Sequence, residues 1–232
     1  MTDNWKVPED IALVVVDIQN DFCPGGNLAV PGGDDIVPLV NSLKKLFNLV
    51  VLTKDWHPAG HKSFASSHDG KNPLETVEMP YGTQVLWPDH CVQGTEGAAF
   101  HKDLDIAADD LVLAKGTNPA IDSYSGFFEN DAKTQPVFDD GKTLAQTLRE
   151  KGINTVVFTG LAYDFCVGWH ALDAIKAGFN AIVVKDATRS IAIPGADGAP
   201  GTEQAMTAQL EQAGAKIVTA DELKALLSKP GL

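Results

Sequence analysis

The chain has 232 residues, enough for one large domain or, less easily, two small ones. Hydrophobic residues make up 44% and charged residues 21%, as is typical of a globular protein with a sizeable core. Lys and Arg total 18 against 31 Asp and Glu. The resulting net charge of −13 argues against nucleic acid or an anionic membrane surface as a partner.

Short apolar runs rich in β-branched residues alternate with helical patterns along the chain. The predicted strands are 11–16, 49–53, 111–114, 155–159, 181–184 and 216–218. The predicted helices are 34–47, with Asp34 as its cap, 141–151, 165–177, 202–213 and 220–227. Strands that are apolar throughout and separated by helices indicate a parallel sheet covered on both faces. We therefore predict one α/β domain over residues 1–232, a three-layer α/β/α fold with a parallel six-stranded sheet.

Two connections are much longer than the others. Residues 56–110 and 116–140 are rich in Gly, Pro, His and aromatic residues. Loops of this length in a compact domain are usually functional or disordered, and the His and aromatic content favours function. We expect the region at about 56–110 to bind a metal ion and a substrate.

Polar or reactive groups follow the predicted strands at Asp17, Asp55, Lys115, the turn 160–166 and Asp186. Ligands of open α/β sheets bind outside the carboxyl ends of the strands, so these groups can converge on one crevice. The alternative is that acids after strands act as helix caps or turn residues. For Asp186 we prefer that alternative.

The segment after the second strand carries a possible metal-binding pattern. Asp55 and His57 are two positions apart at a strand end, so their side chains can face one ion, and His61 returns after a Pro and Gly turn. His90 offers a further imidazole, and a carboxylate with imidazoles suits Zn, Fe or Mn. The alternative is that His61 and His90 are ordinary loop histidines. Three other histidines lack such a setting and are predicted to be ordinary polar residues: His68, His101 and His170.

Cys166 lies where a buried strand gives way to a Gly turn and then a helix. A thiol at a helix N-terminus has its pKa lowered by the exposed N–H groups, and a nearby Lys lowers it further. The same N–H groups can hold the oxyanion of an acyl-transfer intermediate. The alternative is a buried structural thiol, the commoner fate of a lone Cys. Cys23 and Cys91 lack this context and are expected to be structural or to line a pocket.

The compartment is predicted from the cysteines and the first residues. Three widely spaced cysteines are odd in number, and residues 1–10 contain no basic stretch followed by an apolar run. No apolar run approaches the ~20 residues that cross a bilayer. We therefore expect reduced thiols and a cytoplasmic protein.

Taken together, these motifs resemble those of the nicotinamidases, also called pyrazinamidases, of the isochorismatase-like cysteine hydrolase superfamily. The likeness covers nearly the whole chain. Asp17 stands in VDIQNDF (16–22), Lys115 opens KGT (115–117), and Cys166 lies in GLAYDFCV (160–167).

The resemblance implies the isochorismatase-like hydrolase fold and a set of site residues. Asp17, Lys115 and Cys166 correspond to the catalytic triad. The metal ligands correspond to Asp55, His57, His61 and, more variably, His90. The substrate-binding positions correspond to Phe22, Trp87, Tyr124, Leu161 and Ala162. The backbone N–H groups of Ala162 and Cys166 correspond to the oxyanion hole, which in the family follows a cis peptide, here the Leu161–Ala162 bond.

The implied activity is that of a metal-dependent cysteine amidohydrolase acting on a carboxamide C–N bond. Nicotinamide would be hydrolysed to nicotinate and ammonia through a thioester, in NAD salvage, with one divalent metal ion (Zn, Fe or Mn) and with pyrazinamide as a second substrate. The expected partner is this small molecule, not nucleic acid or membrane, and monomer and homo-oligomer both stay open.

Two alternatives are carried forward. One is another isochorismatase-like amide or enol-ether hydrolase, although such relatives typically lack the ligand pattern of Asp55, His57 and His61. The other is a non-catalytic thiol or metal sensor, which would have no need of an acid–base partner for its cysteine. The intact set of Asp17, Lys115 and Cys166 argues against a sensor.

Overall fold

The fold is described for residues 9–228 in a computed structural model, so the ends of the predicted domain, 1–8 and 229–232, lie outside the described residues. The described residues form eight strands, numbered in chain order: β1 (Ile11–Val16), β2 (Val50–Asp55), β3 (Thr76–Met79), β4 (Gly82–Val85), β5 (Leu111–Lys115), β6 (Thr155–Leu161), β7 (Asn180–Arg189) and β8 (Lys216–Val218). Six of them form a parallel sheet in the order β5-β2-β1-β6-β7-β8, while β3 and β4 pair antiparallel. The predicted six-stranded parallel sheet is confirmed.

The helices cover both faces of this sheet. They are α1 (Val37–Lys44), α2 (Leu144–Glu150), α3 (Gly168–Lys176), α4 (Thr202–Ala213) and α5 (Ala220–Leu227). None of the helices within residues 9–228 is both long and apolar enough to span a membrane.

Strand alternation divides the buried residues into two cores. In β1, Leu13 and Val15 pack with the apolar residues of α1 and α5, whereas Val14 and Val16 pack with those of α2, α3 and α4. Successive side chains of a strand point to opposite faces, so a strand that is apolar throughout contributes to both cores. This arrangement confirms the predicted three-layer architecture.

Helix starts differ from the predictions for identifiable reasons. Asp34 does not cap α1, because the 3₁₀ turn Gly33–Ile36 comes first and α1 has no side-chain cap. At α2, Thr143 and Gln146 form a reciprocal capping box, which sets the start after position 141. The predicted helix at 165–177 is divided into a π-helical turn, Tyr163–Val167, followed by α3.

The close contact between β6 and β1 leads to a stability prediction at Gly160. A Cβ added there would lie 2.0 Å from the Val16 carbonyl oxygen, and the residue has φ +109°. Gly178 has a similar φ of +91° but nothing within 4 Å of an added Cβ. We expect Gly178→Ala to cost about 1 kcal/mol from backbone conformation alone, and Gly160→Ala to cost more than about 3 kcal/mol because it adds a clash with backbone.

Urea unfolding of the two variants beside the parent protein measures this difference. Similar midpoints for Gly160→Ala and Gly178→Ala would contradict the close approach of β6 to β1.

Candidate active site

Lys115 lies at the centre of a cluster of polar groups at the carboxyl ends of the strands. Its buried ammonium is 2.9 Å from Asp17 Oδ2 and 2.5 Å from Asp55 Oδ1. It also lies 2.9 Å from the Ser123 carbonyl oxygen and 3.4 Å from Cys166 Sγ. Burial opposes the charge, but Asp17 and Asp55 raise the pKa of Lys115 well above its usual value. The side chain therefore stays an ammonium.

Asp17 is held where its carboxylate can reach the thiol. It follows β1, is fully buried, and accepts a 2.7 Å hydrogen bond from the Thr53 hydroxyl. One carboxylate oxygen of Asp17, one of Asp55 and the Cys166 sulfur all lie within 4.8 Å of one another. Burial raises the pKa of Asp17 above its usual value, although Lys115 opposes the shift. A raised pKa makes this carboxylate a stronger proton acceptor.

The pKa of Cys166 is shifted in the direction opposite to the sequence-based expectation. Burial raises it well above the usual value, Lys115 opposes the change, and Asp17 and Asp55 add to it. The prediction of a lowered pKa at a helix N-terminus is wrong, because desolvation and two carboxylates outweigh the local dipole. The thiol therefore keeps its proton at rest, and its activation requires a neighbouring base.

The turn before Cys166 has the backbone features that the resemblance implies. The Leu161–Ala162 peptide is cis. The Ala162 carbonyl accepts hydrogen bonds from the N–H groups of Phe165 (3.1 Å) and Val167 (3.0 Å), which closes the π-helical turn. Within residues 9–228 the Ala162 N–H donates no hydrogen bond to another backbone group. It is therefore available to an oxygen of a bound molecule.

His170, expected to be an ordinary polar residue, is fully buried beneath this turn. Its Nε2 accepts from the Gly126 N–H at 2.8 Å, so Nδ1 carries the proton and donates to the Cys166 carbonyl oxygen at 2.7 Å. Burial, with Lys115 adding to it, lowers the pKa of His170 to about 3. The neutral ring thus ties the Cys166 turn to the loop that presents the Ser123 carbonyl to Lys115. Its spacing of four residues after Cys166, on the same helical segment, is the sequence signal for this role.

Asp55, His57 and His90 form one candidate metal group. The second carboxylate oxygen of Asp55 lies 3.6 Å from Nε2 of each histidine. His57 Nδ1 donates to the Gly116 carbonyl oxygen at 2.8 Å, which leaves the Nε2 lone pair facing the group. This nitrogen is buried and has no hydrogen-bond partner among the described residues. An oriented imidazole with an unpartnered nitrogen beside a carboxylate fits a divalent metal ion.

His61 belongs to a second group, with His57 and Asp122. The rings of His61 and His57 are 4.4 Å apart between centroids. The Nδ1 of His61 accepts from the Ser63 N–H at 3.1 Å, while Nε2 faces the Ile121 carbonyl oxygen at 3.3 Å. The four predicted ligands are thus divided between two overlapping groups that share His57. Asp122 is a candidate metal ligand that the sequence analysis did not predict, although it lies in the aromatic-rich connection 116–140.

A narrow pocket connects the metal group to the thiol. The predicted substrate-binding residues Phe22, Trp87, Tyr124 and Ala162 line it, together with Asp55, His90, Asp122, Cys166, Phe165, Leu28 and Ile191. Asp122, Phe165, Leu28 and Ile191 were not predicted as site residues. The Leu161 side chain does not line the pocket, because it packs into the core beneath the sheet end, and that predicted contact is corrected.

Asp164 holds one side of this pocket in place. It is buried, and its carboxylate accepts from the N–H of Ile191 at 2.9 Å and of Ala192 at 2.8 Å. The Thr202 hydroxyl donates to the same carboxylate. Asp164 therefore joins the turn that carries Cys166 to the segment that brings Ile191 over the pocket.

The isochorismatase domain family matches residues 11–222. The chain belongs to the isochorismatase family. Among relatives in this family, a nicotinamidase of Acinetobacter baylyi is 50% identical over 190 residues, covering 82% of this chain and 86% of the relative. A solved nicotinamidase and pyrazinamidase of Acinetobacter baumanii has a TM-score of 0.84 at 46% identity, covering 93% of this chain and 99% of that one. A pyrazinamidase of Pyrococcus horikoshii, solved in complex with zinc, has a TM-score of 0.69 at 36% identity, covering 90% and 99%.

The two hydrogen bonds of His170 lead to a prediction about the stability of the protein and the reactivity of Cys166. In His170→Phe the Cys166 carbonyl loses its imidazole donor and the Gly126 N–H loses its imidazole acceptor. We expect a loss of about 2 kcal/mol or more in the free energy of unfolding and a changed rate of Cys166 alkylation by iodoacetamide. His170→Asn, which can restore the bond to the Cys166 carbonyl, should recover part of both.

Urea unfolding and alkylation followed by mass spectrometry measure these effects, with His68→Phe as the matched control in a loop. A His170→Phe protein with the parent midpoint and alkylation rate would contradict the positioning role.

Proposed function

We propose that this chain is a nicotinamidase, which hydrolyses nicotinamide to nicotinate and ammonia through a thioester on Cys166. The observation that carries the proposal is that a thiol with its acid–base partners and a metal-donor group open on the same aromatic-lined pocket. The nicotinamidases at 50% and 46% identity support the choice of substrate. The other isochorismatase-like hydrolases and the sensor are less favoured, because neither accounts for both halves of this pocket.

The proposed cofactor is one divalent metal ion, Zn, Fe or Mn, held by Asp55, His57, His61 and His90. Two observations support it: the unpartnered Nε2 of His57, and the two histidines that face one carboxylate oxygen of Asp55. When bound, the ion would anchor the pyridine nitrogen of the substrate and so fix the ring in the pocket.

Acylation is proposed to begin with proton transfer from the Cys166 thiol to Asp17. The sulfur attacks the carboxamide carbon, and the N–H groups of Ala162 and Cys166 receive the negative charge on the oxygen. Asp17 then gives its proton to the departing nitrogen. The C–N bond breaks, ammonia leaves, and a thioester with Cys166 remains.

Deacylation reuses the same groups. Asp17 takes a proton from a water molecule, whose oxygen attacks the thioester carbon. The C–S bond breaks and the proton returns from Asp17 to the Cys166 sulfur, while the second proton of the water leaves with the new carboxyl group and is released to solvent, which gives nicotinate. Lys115 stays charged throughout and acts as an electrostatic anchor for Asp17, because its raised pKa rules out the neutral amine that a Schiff base would need.

We also propose that residues 1–232 form one domain, with its metal- and substrate-binding region at about 56–110, and that the enzyme accepts pyrazinamide. The proposed setting is NAD salvage in the cytoplasm, without nucleic acid or membrane as partner. The net charge of −13 supports the exclusion of polyanionic partners. Monomer and homo-oligomer both stay compatible with the proposal.

The substrate proposal is tested by comparing nicotinamide with benzamide, which has the same shape but no ring nitrogen. We expect ammonia release from nicotinamide to exceed that from benzamide by at least about tenfold in kcat/KM, since benzamide lacks the anchoring interaction. Removing the metal with a chelator, or by His57→Ala, should abolish nicotinamide turnover, and restoring Zn, Fe or Mn to the chelated protein should recover it.

Iodoacetamide alkylation of Cys166 is the control for the chelated protein, because the proposed ion positions the substrate and does not activate the thiol. Equal turnover of the two amides, or ammonia release that survives complete metal removal, would refute the anchoring role.

The covalent mechanism is tested at the nucleophile. Cys166→Ala should lower kcat by at least about a thousandfold, since the attacking atom is lost. Bound metal, measured by elemental analysis, should stay at the parent level. Cys23→Ala and Cys91→Ala are the matched controls and should retain most activity. A Cys166→Ala enzyme with a tenth of the parent kcat would show that the thioester is not on the pathway.

A further inference from the structure

A second cavity of about 230 Å³ lies beside the catalytic pocket and shares only Tyr124 with it. Three further aromatic side chains, Tyr81, Phe128 and Trp169, contribute to its walls. None of these three was assigned to the proposed reaction. Flat apolar walls with a few polar groups are typical of a small-molecule site.

Glu129 brings an unpartnered carboxylate into this cavity. The residue is only 6% exposed, and its Oε2 is buried with no hydrogen-bond partner within the described part of the chain. Burial raises the pKa of Glu129 to about 7, with added contributions from Asp131 and Asp122. Buried polar atoms in proteins normally have a partner, so an atom of this kind indicates that a donor is supplied from outside the chain.

The other charged groups of the cavity indicate which charge the group that donates to Glu129 would carry. Asp173 is a second acid, and Lys176 is the single cation among the lining residues. The Lys176 ammonium lies 4.9 Å from the centre of the Phe128 ring, in a cation–π contact. Above a pH of about 7, where Glu129 is mainly ionised, two carboxylates face one ammonium, and the cavity is short of one positive charge. The missing group is therefore a cation.

We propose that this cavity is a second ligand site, which takes a small organic ammonium ion with a single flat ring. The ammonium pairs with Glu129, and the ring lies against Phe128 and Trp169. The volume of about 230 Å³ accommodates one ring with a short side chain. An uncharged molecule of the same shape would leave the negative charge of Glu129 without an opposite charge. Tyr124 is then the wall through which an occupant contacts the catalytic pocket.

Isothermal titration of the full chain with benzylammonium chloride tests the site, with benzyl alcohol as the uncharged probe of similar shape. We expect benzylammonium to bind in the millimolar range or tighter, and at least about tenfold more tightly than the alcohol, because the alcohol hydroxyl can donate only a hydrogen bond to Glu129 whereas the ammonium also neutralises its charge. Equal affinities for the two probes, or no binding of benzylammonium at millimolar concentration, would overturn the proposal.

Variants identify the cavity in which the probe binds. Glu129→Gln should weaken benzylammonium binding about tenfold or more, whereas Glu211→Gln, the same change on the exposed face of α4, should not alter it. Phe22→Ala, in the wall of the catalytic pocket, should leave it unchanged. Lys176→Met should tighten binding, since it removes the competing cation.

The Lys176→Met result keeps the proposal testable if Glu129→Gln does not fold. Benzylammonium affinity that falls in Phe22→Ala but not in Glu129→Gln would place the probe in the catalytic pocket and refute the second site. An unchanged or weaker affinity in Lys176→Met would refute it as well.

Discussion

The rest of the site depends on one buried positive charge, the ammonium of Lys115. A buried ammonium is tolerated only when charged and polar partners replace its water shell, and removing one partner costs far more than the pair contributes. Asp17 and Asp55 are those partners, so the neighbouring strands β1, β2 and β5 must end at the same level. Asp55 uses one oxygen for Lys115 and turns the other toward His57 and His90. One carboxylate therefore couples the proposed nucleophile side to the proposed metal side.

The same charges explain why the thiol of Cys166 is not activated by its position alone. A helix N-terminus contributes a partial positive charge, which is small beside full desolvation and two carboxylates nearby. The raised pKa of Cys166 makes a base essential in the proposed mechanism, and the raised pKa of Asp17 makes that residue suited to the task. Sequence reasoning could not find this balance, because the opposing groups come from elements 50 to 150 residues apart.

The sheet was predictable because each parallel strand is buried on both faces and therefore reads as a continuous apolar run. The β3–β4 hairpin was not, since each strand has only four residues, and the alternation of Val77 and Met79 with polar residues in β3 is too short to indicate a strand. In the site, the proximity of Asp55 and His57 could be predicted, because the two residues are two positions apart at the end of a strand. Asp122 was missed because its role arises from contacts made after folding. His170 was missed because its spacing from Cys166 indicates only one of its two partners. For His170, the partner Gly126 is 44 residues away.

The loop between β5 and α2 contributes residues to the cluster around Lys115, to a candidate metal group and to the walls of both cavities. Ser123 gives its carbonyl to Lys115, and Asp122 offers a carboxylate to the second histidine group. Tyr124 forms a wall of the catalytic pocket, while Glu129 faces the neighbouring cavity. His170 joins this loop to the Cys166 turn, because it accepts from the Gly126 N–H and donates to the Cys166 carbonyl. A displacement of the loop would therefore disturb the position of the Cys166 thiol. A molecule bound beside Glu129 would therefore contact the same loop that His170 joins to the Cys166 turn.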